Sequence, residues 1–219
     1  MKFKIFLLVL ITALLGGCAS EKSRAVQTEA VKSAQIPYSG VKMSVSVGRF
    51  SNQSSYNNGI FSDGEDRLGN QAQTILISNL QQSGRFSVMD RTNMRALREE
   101  VTISKKAQNL KGANYVVTGD IVEFGRKTTG DHQLFGILGR GKTQTAYSKV
   151  TLNLVNVTTS EVVFTASGAG EYELSNREVI GFGGTAGYDS TLNGKVLSLA
   201  IREAVDNLAV GVENSGLLK

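Results

Sequence analysis

The chain has 219 residues, 41% of them hydrophobic, and carries 24 Lys plus Arg against 19 Asp plus Glu, a formal charge of +5. Removing residues 1–17 would take Lys2 and Lys4 away and leave +3, which is near balance and argues against the clustered cations of a nucleic-acid binder. One histidine, His132, and one cysteine, Cys18, leave almost no material for zinc sites or for Cys/His and Ser/His catalysis, and no pair for an internal disulfide.

The N-terminus reads as a lipoprotein signal. A basic start, Met1-Lys-Phe-Lys4, precedes the apolar run Ile5 to Leu15, which is too short to span a bilayer as a mature helix. Leu15-Gly16-Gly17 supplies small residues before Cys18, whose thiol can take a diacylglyceryl group. Cys18 is therefore expected to be the acylated first residue of the mature chain. Ala19 stands where an aspartate commonly holds bacterial lipoproteins at the inner membrane, so the expected place is the outer membrane, lipid-anchored and facing the periplasm. Residues 18–39, polar from Ser20 to Gln35 and closed by the single proline, Pro37, read as a flexible tether that buries too little apolar surface to order itself.

From residue 40 to 219 the pattern is that of one α+β domain. Val41, Met43, Val45 and Val47 alternate with Lys42, Ser44 and Ser46, a half-buried strand ending at Gly48. Tyr56-Asn57-Asn58-Gly59 and Asp63-Gly64 mark a loop. Leu68, Ala72, Ile75, Leu76 and Leu80 fall on one helical face, with Gly84 just past its end. Phe86 to Met89 is a short strand, and Asp90 can cap a second helix carrying Met94, Leu97 and Val101. Gly112 to Asp120 leads into another strand with the buried run Tyr115-Val116-Val117.

Between Ile121 and Tyr188 no helix is expected. Two long strand-like stretches run through 141–157 and 162–174, joined by a turn at Thr158-Thr159-Ser160. In the second stretch Val162, Phe164, Ala166, Gly168, Gly170, Tyr172 and Leu174 alternate with Glu161, Thr165, Ser167, Glu171 and Glu173. Strands of 9–11 tilted residues cross a bilayer, so such lengths permit insertion without proving it. A final amphipathic helix carries Leu197, Ile201, Ala204, Val205, Leu208 and Val212.

Gly136-Ile-Leu-Gly-Arg-Gly141-Lys142-Thr143 satisfies the phosphate-loop pattern, but nucleotide binding needs a helix after the loop, and the residues that follow read as a strand. No nucleotide or other cofactor is expected. His132 falls in a polar, turn-like stretch and reads as a loop residue. Gly181 to Tyr188 is a second glycine cluster without a βαβ frame. Phe135, Ile137, Leu138, Ile180 and Phe182 are apolar where hairpin tips are usually polar. They fit contact with membrane or partner, or folding over the domain's own core.

Val88-Met89-Asp90-Arg91, then Gly112-Ala-Asn-Tyr-Val-Val-Thr-Gly-Asp120, then the strand-turn-strand from Val150 to Val162 resemble the curli-secretion channel family of CsgG/HfaB type, over most of Val41 to Val212. The resemblance implies a periplasmic α/β domain with two extra β-hairpins per subunit, here near 127–149 and 164–188. In that family the hairpins of many copies assemble into an outer-membrane barrel that exports amyloid subunits. It then implies a homo-oligomer in which Thr165, Ser167, Glu171 and Glu173 face a water-filled lumen, and places Asn57 and Phe61 near the loop that narrows the channel. The second hairpin is shorter than the family's, the chain stops soon after the final helix, and the family's aromatic and amide loop pattern is missing. Related outer-membrane lipoproteins use a similar domain to activate cell-wall synthases without a pore. Two functions therefore stand: an export channel or assembly component for a secreted protein, or a periplasm-facing lipoprotein that binds and regulates another envelope protein. An enzyme is the third reading, with no ionisable cluster at catalytic spacing to support it.

Overall fold

Small and β-branched residues from Met43 onward favour extended chain, and they form strand β1, Met43–Asn52, in a computed structural model that describes residues 30–56, 65–105, 107–133, 139–178 and 191–217. Helix α1, Arg67–Gln82, follows, then β2, Phe86–Met89, and α2, Met94–Ser104. Three long strands come next: β3, Tyr115–Gln133, β4, Gly139–Asn156, and β5, Val162–Glu178. Helix α3, Leu192–Asn214, comes last. The five strands make one mixed sheet in the order β2-β1-β3-β4-β5. β1 pairs parallel with β2 and β3, whereas β3, β4 and β5 are antiparallel neighbours. The expected α+β class is the observed one.

One sheet face is covered by α1 and α3, and the core lies between them. Leu76 and Leu80 from α1, Val45 from β1, Ile121 from β3, Leu152 and Leu154 from β4, and Leu197, Ile201 and Leu208 from α3 are fully buried. Each such side chain contributes roughly 1.5–3 kcal/mol of transfer free energy, which a chain with one cysteine must rely on entirely. α1 begins at Asp66, whose carboxylate accepts the Gly69 N–H at 2.7 Å, and it stops before Gly84, which has φ +73°.

Several expectations are corrected. β1 does not end at Gly48 but runs to Asn52 through a register shift between Val47 and Phe50. Val41 lies ahead of it and is exposed. β1 is buried on both faces, Ser44 and Ser46 included; the Ser44 hydroxyl donates to the Gly112 carbonyl at 2.9 Å, from the segment that leads into β3. Val162 is turned outward, away from Phe164, by the irregularity opposite Leu154/Val155. His132 is in strand, opposite Arg140, and not in a loop. Asp90 precedes α2 by a local turn: its carboxylate accepts the N–H groups of Thr92 and Asn93 and the Asn93 side-chain amide at 2.7 Å, while Asn93 is the N-cap.

The largest correction is at the tether. Val31 is 0% exposed, and Lys32–Gln35 form a 3-10 turn. The packed domain therefore begins by Val31 rather than at residue 40. Cys18, Asn57, Phe61, Phe135, Ile137, Leu138, Ile180 and Phe182 lie outside the described residues.

Candidate functional site

The alternation in β5 has a packing cause. Ala166, Gly168, Gly170 and Tyr172 lie under α3, and the glycines let helix and strand approach closely. A Cβ at Gly168 would overlap the Ala200 carbonyl oxygen and the Ala204 amide nitrogen, and one at Gly170 would lie 2.7 Å from the Leu199 Cβ. The same alternation sends Thr165, Ser167, Glu171 and Glu173 to the other, open face, where all four are exposed. Thr165 donates its hydroxyl to Asn153 Oδ1 at 2.8 Å, and the hydroxyls of Ser167 and Thr151 are 3.1 Å apart. Glu123 and Lys149 pair at 3.5 Å across β3 and β4. A shallow depression there is lined by Glu123, Tyr147, Lys149 and Glu171 among others. The four residues expected to be channel-facing thus share one polar surface of a sheet edge.

The helical cover ends at a cluster that sequence reading missed. Arg126 donates to Gln144 Oε1 at 3.1 Å and to Asn193 Oδ1 at 3.2 Å. Asn193 in turn donates to the Tyr56 hydroxyl, and the Tyr56 ring packs on Phe124 with centroids 4.7 Å apart. This cluster joins the loop after β1, strands β3 and β4, and the first turn of α3, residues far apart in sequence, so no local pattern signals it.

Beyond it, β3, β4 and β5 continue as a three-stranded arm. From Arg126 to Gln133 the arm extends roughly 23 Å at about 3.3 Å per residue. Backbone register pairs Thr128 with Gln144, Thr129 with Thr143 and His132 with Arg140, and β5 pairs in turn through Thr143 with Ser175 and Arg140 with Glu178. The residues expected as hairpins are therefore in strand where described. Gly139 to Thr143, the second half of the phosphate-loop pattern, is also strand and leads into strand, so no helix N-terminus follows it.

Among the described residues no three His, Cys, Asp or Glu side chains converge on a metal-sized site. No described helix is long and apolar enough to cross a membrane, which does not bear on crossing by strands.

Residues 26–218 match the family model described as curli production assembly/transport component CsgG. The protein named lipoprotein NMB1126/NMB1164 of Neisseria meningitidis serogroup B is 66% identical over 200 residues, spanning 91% of this chain and 90% of that one. Among solved structures, a PelC dodecamer from Paraburkholderia phytofirmans is 19% identical, covering 78% of this chain and 95% of that chain with a TM-score of 0.38. The LpoB C-terminal domain from Salmonella enterica is 16% identical, covering 60% and 84%, with a TM-score of 0.31. The family match spans nearly the whole described domain, Val31 included, and the Neisseria relative aligns over nine-tenths of both chains: the chain belongs to the CsgG family, a lipoprotein and transport-associated family.

Proposed function

We propose that the chain is an outer-membrane lipoprotein, acylated at Cys18 and facing the periplasm, that uses its three-stranded arm and open sheet face to bind and regulate another envelope protein. The observation that carries this reading is the polarity of the arm. A barrel wall needs an apolar outward band about 25 Å tall, and cationic side chains facing lipid at mid-membrane cost about 2–4 kcal/mol each. Lys127, Asp131, Arg140, Lys142, Arg177 and Glu178 stand at both odd and even positions of the arm's sequence, so neither phase of a strict strand alternation is free of charge.

A second reading, an oligomeric export pore, is favoured by the apolar residues Phe135, Ile137, Leu138, Ile180 and Phe182 next to the arm in sequence, with Thr165, Ser167, Glu171 and Glu173 lining water and Asn57 and Phe61 near a constriction. The two readings part in one experiment. Full-length acylated protein from outer membranes is imaged by negative stain and tested for conductance in planar bilayers. Absence of conductance, with crosslinking of the arm to a discrete envelope protein, is the expected result. Symmetric rings with stable conductance would replace the docking reading by the pore.

A further inference from the structure

The segment after the signal is held to the domain by two charged side chains from distant parts of the chain. Asp206, on α3 and 7% exposed, accepts the backbone N–H of Lys32 on one carboxylate oxygen at 2.9 Å and that of Ser33 on the other at 2.8 Å. Arg85, just before β2 and 3% exposed, donates to the carbonyl oxygens of Ser33, Ile36 (3.0 Å) and Ser83 (2.8 Å). Its Nε also bonds Glu213 Oε1 at 2.6 Å, and the Tyr38 ring lies over its guanidinium at 5.2 Å. Val31 is fully buried beside these bonds, and Lys32 adds an exposed ion pair to Glu203 at 3.7 Å. Where β1 begins, the Met43 N–H donates to the Arg85 carbonyl at 2.9 Å, so Arg85 holds both ends of the segment.

Such a clamp does more than order a terminus. Buried charges are retained only where paired, and here what they pair with is mainly the backbone of the segment itself. The clamp therefore recognises the chain's path over the domain more than its side chains.

We propose that Arg85 and Asp206 form a latch that sets the working length of the lipid tether. This rests on acylation at Cys18. Latched, the chain from Cys18 to Val31 is 13 residue steps, whose covalent limit is about 45 Å; released up to Met43 it is 25 steps, with a limit of about 85 Å. The latch grips the later part of α3, near Asp206 and Glu213, whereas the arm leaves beside Asn193 at the start of that helix. Asn193 and Asp206 are separated by about 20 Å at 1.5 Å per residue. A latched chain caps the distance from the lipid to Val31 at the shorter reach, and release lets the domain stand off and present the arm at roughly twice that range.

The test uses acylated full-length protein in phosphatidylethanolamine/phosphatidylglycerol vesicles, with a donor dye on the open sheet face at Thr165→Cys and an acceptor on lipid headgroups. Mass spectrometry first establishes the lipid on Cys18, so failure of anchoring is read separately. Asp206→Asn is expected to raise hydrogen exchange at Lys32 and Ser33 at least tenfold, leave α1 amides protected, and lower energy transfer. Val31→Ala, which loosens the same segment without touching either charge, is expected to act in the same direction and serves if Asp206→Asn fails to fold. Unchanged energy transfer in a folded, acylated variant whose Lys32 and Ser33 exchange freely would overturn the proposal. So would a Lys32 and Ser33 that exchange freely in the unaltered protein.

Discussion

At the residue scale, the outcome of a substitution depends on whether the neighbour it meets can move. Gly168 faces helix backbone, which cannot give without shifting α3 from the sheet. Gly168→Ala should cost about 1–3 kcal/mol by overpacking, read as a lower urea midpoint with unchanged slope. Gly112, where an added Cβ meets nothing, is the control: Gly112→Ala should leave the midpoint nearly in place. Leu76, fully buried in α1, tests the opposite error. Leu76→Ala should lose about 2–5 kcal/mol through transfer and cavity terms.

At the element scale, α2 stands out because none of its residues is buried. Leu97 is 41% exposed although the spacing of Met94, Leu97 and Val101 is that of a packing face. Its stability is therefore local. The Asp90 carboxyl is held below the usual carboxylate range, first by the Asn93 side-chain amide, then by the Asn93 and Thr92 N–H groups, with slight burial opposing. Because the folded value is the lower one, this turn is fully stabilised above the ordinary carboxylate range and loses its support as pH falls through the lowered value. Amide exchange at Asn93 and Thr92 should rise over that acid window and should rise at neutral pH in Asp90→Ala, while the global denaturation midpoint stays put because the helix buries nothing. Breaking α2 with Glu99→Pro should likewise leave the midpoint within about 0.5 kcal/mol. A large drop would mean that α2 packs on something in the intact protein.

At the scale of the whole molecule, the core lies under α1 and α3, and among the described residues the buried apolar side chains of β3 stop at Phe124, before the arm begins. Replacing residues 129–143 by Asn-Gly, so that Thr128 and Gln144 close a two-residue hairpin, should leave the urea midpoint nearly unchanged and abolish crosslinking to the envelope partner. A chain that no longer folds would show that the arm supports the core after all.

What could be read from sequence was what short-range spacing controls. Amphipathic α1 and α3, the alternation in β5 and the turn at Thr158–Ser160 are legible because each element's burial follows its own period of 3.6 or 2. The family, too, rests on local strings such as Val150 to Val162. Ser44 and Ser46 were misleading because the polar face of β1 is met by chain distant in sequence, such as Gly112, 68 positions from Ser44, which spacing does not name. The latch was invisible because Val31 and Ser33 owe their order to Arg85 and Asp206, 52 and 173 positions away from Ser33, and a polar segment alone cannot offset its own entropy. The sequence by itself determined the secondary elements, the family and the expectation of a lipid anchor, since these depend on residue type and near neighbours. Only the tertiary structure decided which face of each strand is open, where helical cover stops, and that the tether's end is clamped, since each depends on long-range contacts that bring distant charges and strands together.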